Sequence, residues 1–360
     1  MAQKAIIAMS GGVDSSVAAL LTLKDGLECV GVTLKLFENS DVGAGREDSC
    51  CSLEDAEDAR RVAYSIGMPH YVFDFGEDFR RDVIDRFVSE YTNGRTPNPC
   101  IDCNRFIKFK RLMERMDAMD FDYIVTGHYA RVGFDENSKR YFLKKAVDER
   151  KDQSYVLYGM NQHQLAHTRF PLGGFNKSEV REIAAENGFV NAKKHDSQDI
   201  CFVMNGKYAD FIEEYTGEIW PCGDFVDDSG RTLGRHKGII RYTIGQRRGL
   251  GLALPAPLYV REKRIRENTV VLSPKTGIFY RKLVAKDINL IAVARIDQPT
   301  RVMAKVSYNQ PEAPATVIQQ DEDTLRVEFD EPMRAVTAGQ ALVLYDGDTV
   351  LGGGTIVSAG

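Results

Sequence analysis

The sequence predicts an α/β domain with a doubly wound parallel sheet, followed by a small β-rich middle domain and a C-terminal β-barrel. In the first half, short apolar runs alternate with helical patterns, which is typical of βαβ units. From about residue 205, short β-branched and aromatic runs are separated by Gly, Pro and Asp, as in small antiparallel sheets and barrels. We expect domains at residues 1–205, 206–274 and 275–360.

The elements of the first half follow one another as strand and helix. The apolar run 5–9 predicts a buried parallel strand, and residues 15–24 have the composition and length of a helix. Further strands are predicted at Glu28–Leu34, His70–Phe75 and Asp122–Val125, and helices at Leu53–Ile66, near Phe79–Tyr91, around Phe106–Met116 and within Gln162–Gly188. Ligands of such sheets bind at the carboxyl ends of the strands. We therefore expect the turn after the first strand, Leu34 and Gly127 to lie together.

That turn reads Ser10-Gly-Gly-Val-Asp-Ser. Gly11 and Gly12 allow a sharp bend and a close approach of the backbone to a ligand, and the amides that follow lie at a helix N-terminus, which favours an anion. Side-chain oxygens of residues 14–16 are candidate caps. No Lys follows the last Gly, as it would in a loop that reaches the β- and γ-phosphates. The turn thus predicts a pyrophosphate site suited to splitting ATP between the α- and β-phosphates. The alternative is a capped turn that binds nothing.

The segment resembles the pyrophosphate loop of ATP-dependent adenylating enzymes, which include GMP, NAD and argininosuccinate synthetases and several tRNA-modifying enzymes. The resemblance implies that the protein activates a carbonyl or amide oxygen as an AMP ester, which a nucleophile then displaces. The loop alone leaves that nucleophile open.

Composition limits the class of protein. The chain has 360 residues, of which 43% are hydrophobic and 28% charged, as expected of a globular protein with two or three domains. No apolar stretch approaches the ~20 residues of a membrane span, and the first strand begins too early to leave room for a signal peptide. Seven cysteines, an odd number, do not suggest a secreted disulfide framework. We expect a cytoplasmic monomer.

Charge is distributed unevenly along the chain. The net charge of −5 argues mildly against nucleic-acid binding if it is averaged over all residues. Between Arg231 and Arg261, however, there are seven basic residues and no acidic one, and a flexible Gly-rich segment there presents Arg247 and Arg248. Two such guanidinium groups suit phosphates. A solvated basic surface is the equally weighted alternative.

Two segments carry cysteines in polar surroundings: residues 96–109, which include Cys100 and Cys103, and residues 196–203, which include Cys201. Cysteine is most often a small buried hydrophobe, which is our interpretation of Cys29 in its apolar strand. Cys103 and Cys201 instead lie in loop-like settings, where a thiolate can be exposed and activated. A C-x-x-C pair alone is compatible with redox chemistry or with a metal.

With these segments, the chain resembles the bacterial tRNA-specific 2-thiouridylases, the MnmA family, over essentially its whole length. The resemblance is carried by six motifs: Ser10-Gly-Gly-Val-Asp-Ser, Asn98-Pro-Cys-Ile-Asp-Cys-Asn, Thr126-Gly-His-Tyr, Lys151-Asp-Gln-Ser-Tyr, Asp196-Ser-Gln-Asp-Ile-Cys-Phe and Tyr242-Thr-Ile-Gly-Gln-Arg-Arg-Gly-Leu-Gly.

The resemblance implies a role for each matching residue. Cys103 would be the catalytic nucleophile and Cys201 would carry a persulfide. The residues expected to hold ATP are Ala8, Met9, Ser10, Gly11, Gly12, Val13, Asp14 and Ser15, with the backbone at Leu34 and Gly127. Those expected to contact the target base and the tRNA are Asn98, Pro99, Cys100, Lys151, Asp152, Gln153, Arg247, Arg248, Ser307 and Tyr308.

The reaction implied is ATP-dependent 2-thiolation of the wobble uridine of tRNA. The base leaves its stack, its C2 oxygen attacks the α-phosphate of ATP accompanied by Mg²⁺, and sulfur replaces the resulting AMP ester. A donor protein, either a cysteine desulfurase or a relay protein, would deliver the persulfide to Cys201. Cys103 would end in a disulfide with Cys201, so one of the two segments is expected to move.

The chain departs from the family pattern at two positions. Many members have Asp where Cys100 stands, so Cys100, Cys103 and Cys201 could instead supply three thiolates to a [4Fe-4S] cluster; no other metal site is expected. Relatives usually carry Arg in place of Ser307, which weakens the expectation of a tRNA contact there. Cys50, Cys51 and Cys222 receive no role. His128 lies beside the expected ATP site, where a structural hydrogen bond is favoured over proton transfer.

Two other functions compete. A cytidine thiolase with a pyrophosphate loop also uses C-x-x-C, but the segment around Cys201 and the basic segment count against it. A non-catalytic nucleotide sensor with a β-rich partner module would leave Cys103 and Cys201 unexplained, and both could then be replaced by Ser without consequence.

Overall fold

The computed structural model describes residues 2–37, 53–195, 200–203 and 206–360. The N-terminal half contains a five-stranded parallel sheet in the order β3-β2-β1-β4-β7 and a separate hairpin of β5 and β6. The strands are β1 (Lys4–Ala8), β2 (Glu28–Lys35), β3 (His70–Asp74), β4 (Tyr123–Thr126), β5 (Ala130–Asp135), β6 (Arg140–Lys145) and β7 (Thr168–Arg169).

Helices connect these strands. They are α1 (Val13–Lys24), α2 (Leu53–Ser65), α3 (Gly76–Phe79), α4 (Asp85–Thr92), α5 (Pro99–Asp102), α6 (Leu112–Ala118), α7 (Ser154–Leu157), α8 (Gln162–Ala166) and α9 (Lys177–Glu186). π-Helical turns at Arg80–Ile84 and Cys103–Arg111 join α3 to α4 and α5 to α6, so that residues 76–92 and 99–118 form two long helical segments. The sequence placed the second of these around Phe106–Met116; it begins earlier, because Asn98 caps it and Pro99 is preorganised for a first helical turn.

Both faces of the parallel sheet are covered. Along β1, Ile6 packs in one apolar cluster, whereas its neighbours Ala5 and Ile7 pack in another on the opposite face. Cys29 on β2 is buried in the second cluster, as the apolar strand predicted. This two-sided burial is typical of doubly wound parallel sheets, and it confirms the fold class predicted for the first half.

The middle of the chain begins with α10 (Tyr208–Thr216), which ends at Gly217 in the left-handed region. A four-stranded sheet in the order β10-β11-β8-β9 follows. Its strands are β8 (Gly223–Val226), β9 (Thr232–His236), β10 (Tyr259–Arg264) and β11 (Thr269–Ser273). The β-rich texture predicted after residue 205 is confirmed, while the exact boundaries at 205 and 274 remain predictions.

The C-terminal strands close into a six-stranded barrel, because β12 pairs with both β15 and β17. The strands are β12 (Phe279–Leu290), β13 (Thr300–Lys305), β14 (Ala313–Gln319), β15 (Leu325–Arg334), β16 (Ala341–Asp346) and β17 (Thr349–Ala359). The hairpin of β5 and β6, which the sequence did not reveal, extends the barrel's sheet: Thr349 of β17 pairs with Lys144 of β6. A hairpin of the N-terminal half and the barrel therefore share one sheet.

Candidate active site

The turn after β1 is shaped by close backbone contacts. Gly11 has φ +72°, and a Cβ there would lie 2.3 Å from the carbonyl oxygen of Asp55. A Cβ on Gly127, which follows β4, would lie 2.7 Å from the backbone nitrogen of Ser15. Glycine is required at both positions, since any larger residue would push the turn away from its neighbours. The strand register also brings the ends of three strands together at the turn, because Ala8 at the end of β1 pairs with residues of both β2 and β4.

Side chains hold the turn in shape. The Ser15 hydroxyl accepts a hydrogen bond from the Ser10 amide at 3.2 Å and donates to the Gly12 carbonyl at 3.0 Å. The Nδ2 group of Asn191 donates to the Gly11 carbonyl and to the Ser16 hydroxyl, both at 2.9 Å. Gly12, the N-cap of α1, has no side chain that could cap the first amides of the helix. The turn therefore presents helix N-terminal amides, the geometry that binds phosphate oxygens.

Asp14 is held by two residues from distant parts of the chain. Lys177 Nζ lies 2.7 and 2.8 Å from the two carboxylate oxygens, and the Tyr129 hydroxyl donates to Oδ1 at 2.8 Å. Our expectation that Asp14 caps the helix is corrected, because its carboxylate is turned to these partners. The motif at residues 10–15 contains no lysine or arginine. Lys177, the first residue of α9, supplies a positive charge beside it.

His128 is a structural residue of this region. Its ring is buried, with Nδ1 2.6 Å from the Thr126 hydroxyl, and it packs with the rings of Phe109 and Phe170, which also contact each other. Burial, assisted by the nearby Lys108 charge, holds the pKa of His128 well below its usual value. The neutral imidazole therefore serves as a hydrogen-bonding partner beside the turn, as the sequence favoured.

The C-x-x-C pair begins the long helical segment. Asn98 accepts a hydrogen bond from the Cys100 amide at 3.1 Å, and Pro99 occupies the first helical position. Cys100 is exposed, whereas Cys103 is only 9% exposed and belongs to the main apolar cluster. The prediction of an exposed, loop-like Cys103 was wrong, because the Asn-Pro cap starts a helix whose inward face carries this thiol.

Cys201 lies against the same apolar cluster as Cys103. Its neighbour Phe202 is almost fully buried, with ring centroids 5.8 Å from Phe79 and 5.3 Å from Phe87. This anchor seats the half-buried Cys201 against the helical segment 76–92, which in turn packs against the segment that carries Cys103. Residues 196–199 of the motif, and Cys50 and Cys51, lie outside the described residues.

A chain of contacts joins the turn to the segment at 151–153. Gln153 exchanges two hydrogen bonds of 2.9 Å with the backbone of Tyr129, the residue that binds Asp14. Asp152 accepts from the Ala146 amide at 2.9 Å and from the Ser154 hydroxyl at 2.7 Å. Both side chains thus shape their own segment. The Tyr308 hydroxyl, from the barrel, lies 3.5 Å from the Asp152 carbonyl.

Family models match three consecutive parts of the chain. A "tRNA methyl transferase HUP domain" covers residues 3–205, a "tRNA methyl transferase PRC-barrel domain" residues 209–274 and an "Aminomethyltransferase beta-barrel domain" residues 280–356. A tRNA-specific 2-thiouridylase of Clostridioides difficile is 48% identical over 356 residues, with 99% of this chain and 98% of the relative covered. The chain belongs to the tRNA-specific 2-thiouridylase family.

Other members of the 2-thiouridylase family align equally completely. The enzyme of Acetivibrio thermocellus is 48% identical, with 98% of this chain and 99% of the relative covered. That of Symbiobacterium thermophilum is 47% identical, with 100% of this chain and 93% of the relative covered. The resemblance inferred from the motifs is confirmed at the level of the family.

Two arginines of the basic stretch are available to a ligand of this thiouridylase-family protein. Arg231 and Arg261 are paired with carboxylates, as is Arg241. Arg247 and Arg248 are exposed and form no ion pair with a described residue. Arg247 also lines a cleft of about 380 Å³ formed with residues 249–258. These two charges of the stretch are therefore not offset by a carboxylate among the described residues.

The described residues of the candidate site are not arranged to hold a metal ion or an iron–sulfur cluster. Among residues 2–37, 53–195, 200–203 and 206–360, no three His, Cys, Asp or Glu side chains are grouped closely enough to hold a metal ion. Cys100, Cys103 and Cys201 are thus not gathered as the ligands of a cluster. Within the same ranges, no helix is long and apolar enough to cross a membrane.

Sequence reasoning missed several residues around the turn. Tyr129 was present in a quoted motif and Lys177 lies within the helical stretch predicted at 162–188, but neither pattern indicated a contact with Asp14. Lys194 was not singled out either; its Nζ lies 2.7 Å from Asp55 and 2.8 Å from Asp58 at the start of α2. No local signal marks such long-range partners.

Proposed function

We propose that the protein replaces the C2 oxygen of the wobble uridine of tRNA with sulfur, in a reaction driven by ATP. The observation that supports this proposal is how Cys103 and Cys201, 98 positions apart in the sequence, are seated: Phe202 beside Cys201 packs on the helical segment 76–92, which packs on the segment that carries Cys103. Two thiols on one cluster, in a domain that begins with a pyrophosphate-type turn, fit sulfur transfer onto an adenylated acceptor.

ATP would bind with its pyrophosphate on the amides that follow Gly12, and Mg²⁺ would accompany the nucleotide. The C2 oxygen of uridine attacks the α-phosphate, pyrophosphate leaves, and the base carries an AMP ester. The turn supports this step because its donors are fixed by Ser15 and Asn191 before a ligand arrives. Donors that are already oriented need no reorganisation when charge develops on the phosphates.

Sulfur would reach the site as a persulfide on Cys201, delivered by a donor protein. The Cys103 thiolate attacks the inner sulfur of Cys201, and hydrosulfide leaves as the Cys103–Cys201 disulfide forms. Hydrosulfide attacks C2, and AMP departs with the original oxygen. If the terminal persulfide sulfur attacks C2 first, AMP departs with the original oxygen and the base is held on Cys201 through a disulfide; Cys103 then attacks the Cys201 sulfur, and the thiolated base leaves. Both routes produce the same disulfide.

The tRNA would approach over Arg247 and Arg248, whose charges can contact phosphates. The uridine would leave its stack and meet Asn98, Pro99 and Cys100 at the start of the helical segment. Residues 151–153, Ser307 and Tyr308 would contact the tRNA. Their proximity supports this assignment, since Tyr308 reaches the backbone of Asp152.

We also propose that the protein is a cytoplasmic monomer, with domain boundaries at residues 205 and 274.

Digestion and mass analysis of tRNA tests the function directly. The protein is incubated with unmodified tRNA, ATP and a persulfide donor, and 2-thiouridine is quantified. We expect the parent and Cys222→Ser, an exposed cysteine outside the site, to give equal product. Cys103→Ser and Cys201→Ser should give essentially none. Product from both at the parent level would refute the thiol roles.

The adenylation step has its own test. Uridine labelled with oxygen-18 at C2 should pass the label to AMP, because the C2 oxygen leaves on the α-phosphate. Unlabelled AMP formed together with 2-thiouridine would show that activation takes another route.

A further inference from the structure

The proposed cycle leaves a disulfide that must be reduced before Cys201 can accept another persulfide. Exchange with an external thiol depends on access to the sulfur that is attacked. Cys103 is only 9% exposed and Cys201 is half-buried against the same apolar cluster. A protein reductant therefore meets steric hindrance at both sulfur atoms of the Cys103–Cys201 bond.

Cys100 is placed to overcome this hindrance. It precedes Cys103 by three residues, and residues 99–111 are helical throughout. Side chains three residues apart share one helix face, with Cβ atoms about 5–6 Å apart. A disulfide needs a Cβ separation of roughly 4 Å, which a small adjustment of the first helical turn provides. The exposed Cys100 and the buried Cys103 thus form a pair with one solvent-facing and one inward thiol.

The surroundings of Cys100 favour its reactive form. Its amide and Asn98 form the cap of the helical segment, where the helix dipole stabilises a thiolate.

We propose that Cys100 is the resolving thiol of the cycle. Its thiolate attacks Sγ of Cys103; the Cys100–Cys103 bond forms as the Cys103–Cys201 bond breaks, and the electron pair leaves on Cys201, which takes up a proton equivalent to the one that Cys100 lost. A dithiol reductant then supplies two electrons and two protons to the Cys100–Cys103 bond, which has an exposed sulfur. This step rests on the proposed function, because it begins from the disulfide made there.

Disulfide mapping after one turnover tests the step. The full-length protein is loaded with persulfide, given ATP and tRNA without reductant, quenched with acid and digested for mass analysis. We expect a Cys100–Cys103 disulfide in the parent and a Cys103–Cys201 disulfide in Cys100→Ser. Detection of only the Cys103–Cys201 bond in the parent would overturn the proposal.

Multiple turnover separates resolution from contact with the base. With a protein dithiol as the only reductant, Cys100→Ser should make about one 2-thiouridine per enzyme and then stop. A small dithiol, which reaches a hindered disulfide, should restore further turnover. Cys222→Ser is the matched control and should turn over like the parent. Continued turnover of Cys100→Ser with the protein dithiol, or failure of the small dithiol to restore it, would overturn the proposal.

Failure of the proposed function gives a different result. If Cys103→Ser and Cys201→Ser were active, no Cys103–Cys201 disulfide would be required and the first turnover itself would need another explanation. Iron retained by the parent and lost in Cys100→Ser would likewise overturn a resolving role, because the thiol would then be a ligand.

Discussion

Lys177 Nζ lies 2.7 Å from Asp14 Oδ1, although 163 positions separate the two residues in the sequence. The lysine side chain is 11% exposed and the aspartate side chain 30%. The pair brings the first residue of α9 to the first turn of α1, beside the amides that we expect to hold pyrophosphate. A carboxylate at this position would repel a polyanion if its charge were not offset.

Lys177→Met should therefore weaken ATP binding. We expect KM for ATP to rise by about tenfold or more, equivalent to ~1.4 kcal/mol, because Asp14 would keep its charge and its hydrogen bond from Tyr129 but lose the cation that offsets it. In the double variant Asp14→Asn/Lys177→Met, much of the affinity should return. Steady-state kinetics at varied ATP measures both effects. Equal losses in the single and double variants would mean that Lys177 acts on the nucleotide and not through Asp14.

Asn191→Ala should loosen the turn. It removes the two hydrogen bonds to Gly11 and Ser16 from a residue that is 2% exposed. Loss of a buried hydrogen-bonding group costs about 1–3 kcal/mol, so the melting temperature should fall and the stabilisation by added ATP should shrink. Asn137→Ala, in the exposed turn between β5 and β6, is the control. Thermal unfolding that matches this control would contradict the role of Asn191.

Adding a single methyl group at Gly127 should block the site. The new Cβ would lie 2.7 Å from the backbone nitrogen of Ser15. Displacements of about 1 Å in a reactive geometry can cost roughly 10²-fold in rate, and we expect a loss of that size in AMP formation from Gly127→Ala. Gly174→Ala is matched, because nothing lies within 4 Å of a Cβ there. Similar AMP formation by the two variants would contradict the tight packing.

Asp102→Asn should stabilise the protein more at neutral pH than in acid. Burial raises the pKa of Asp102 to about 6, and Arg86, 3.7 Å away, offsets only part of that effect. A carboxyl with a raised pKa contributes stability that is present below about pH 4 and is lost as the pH rises through about 6. The side-chain amide of the Asp102→Asn variant does not ionise, so the variant does not lose stability as the pH rises.

The advantage of Asp102→Asn should thus grow by about 1 kcal/mol between about pH 5 and pH 8. Denaturant unfolding at the two pH values measures it. Asp135→Asn serves as the control, because hydrogen bonds from Ser138 hold the pKa of Asp135 below its usual value, so this carboxyl stays ionised at both pH values and the effect of its variant should not change between them. An advantage of Asp102→Asn that did not change with pH would contradict the raised pKa.

The sequence predicted those features that local chemistry determines. The β1–turn–α1 unit followed from apolar residues, two glycines and small polar residues in succession, and the alternation of strand and helix predicted the parallel sheet. Cys103 was misplaced because a C-x-x-C motif in polar company looks like a loop, whereas the Asn98 cap makes it helical. Lys177 and Asn191 could not be found in this way, since their partners are determined by how distant segments pack.

The β5–β6 hairpin lies in the first half of the sequence but continues the sheet of the barrel. Besides the pairing of Thr349 with Lys144, Asp348 forms ion pairs with Arg131 and Lys144 and its carbonyl accepts a hydrogen bond from the Lys145 amide. A gene fragment that stopped after the ATP-binding half would leave β6 with a bare edge, prone to pair with other molecules. The smallest part of this enzyme that can be transferred without exposing the edge of β6 is consequently the whole chain.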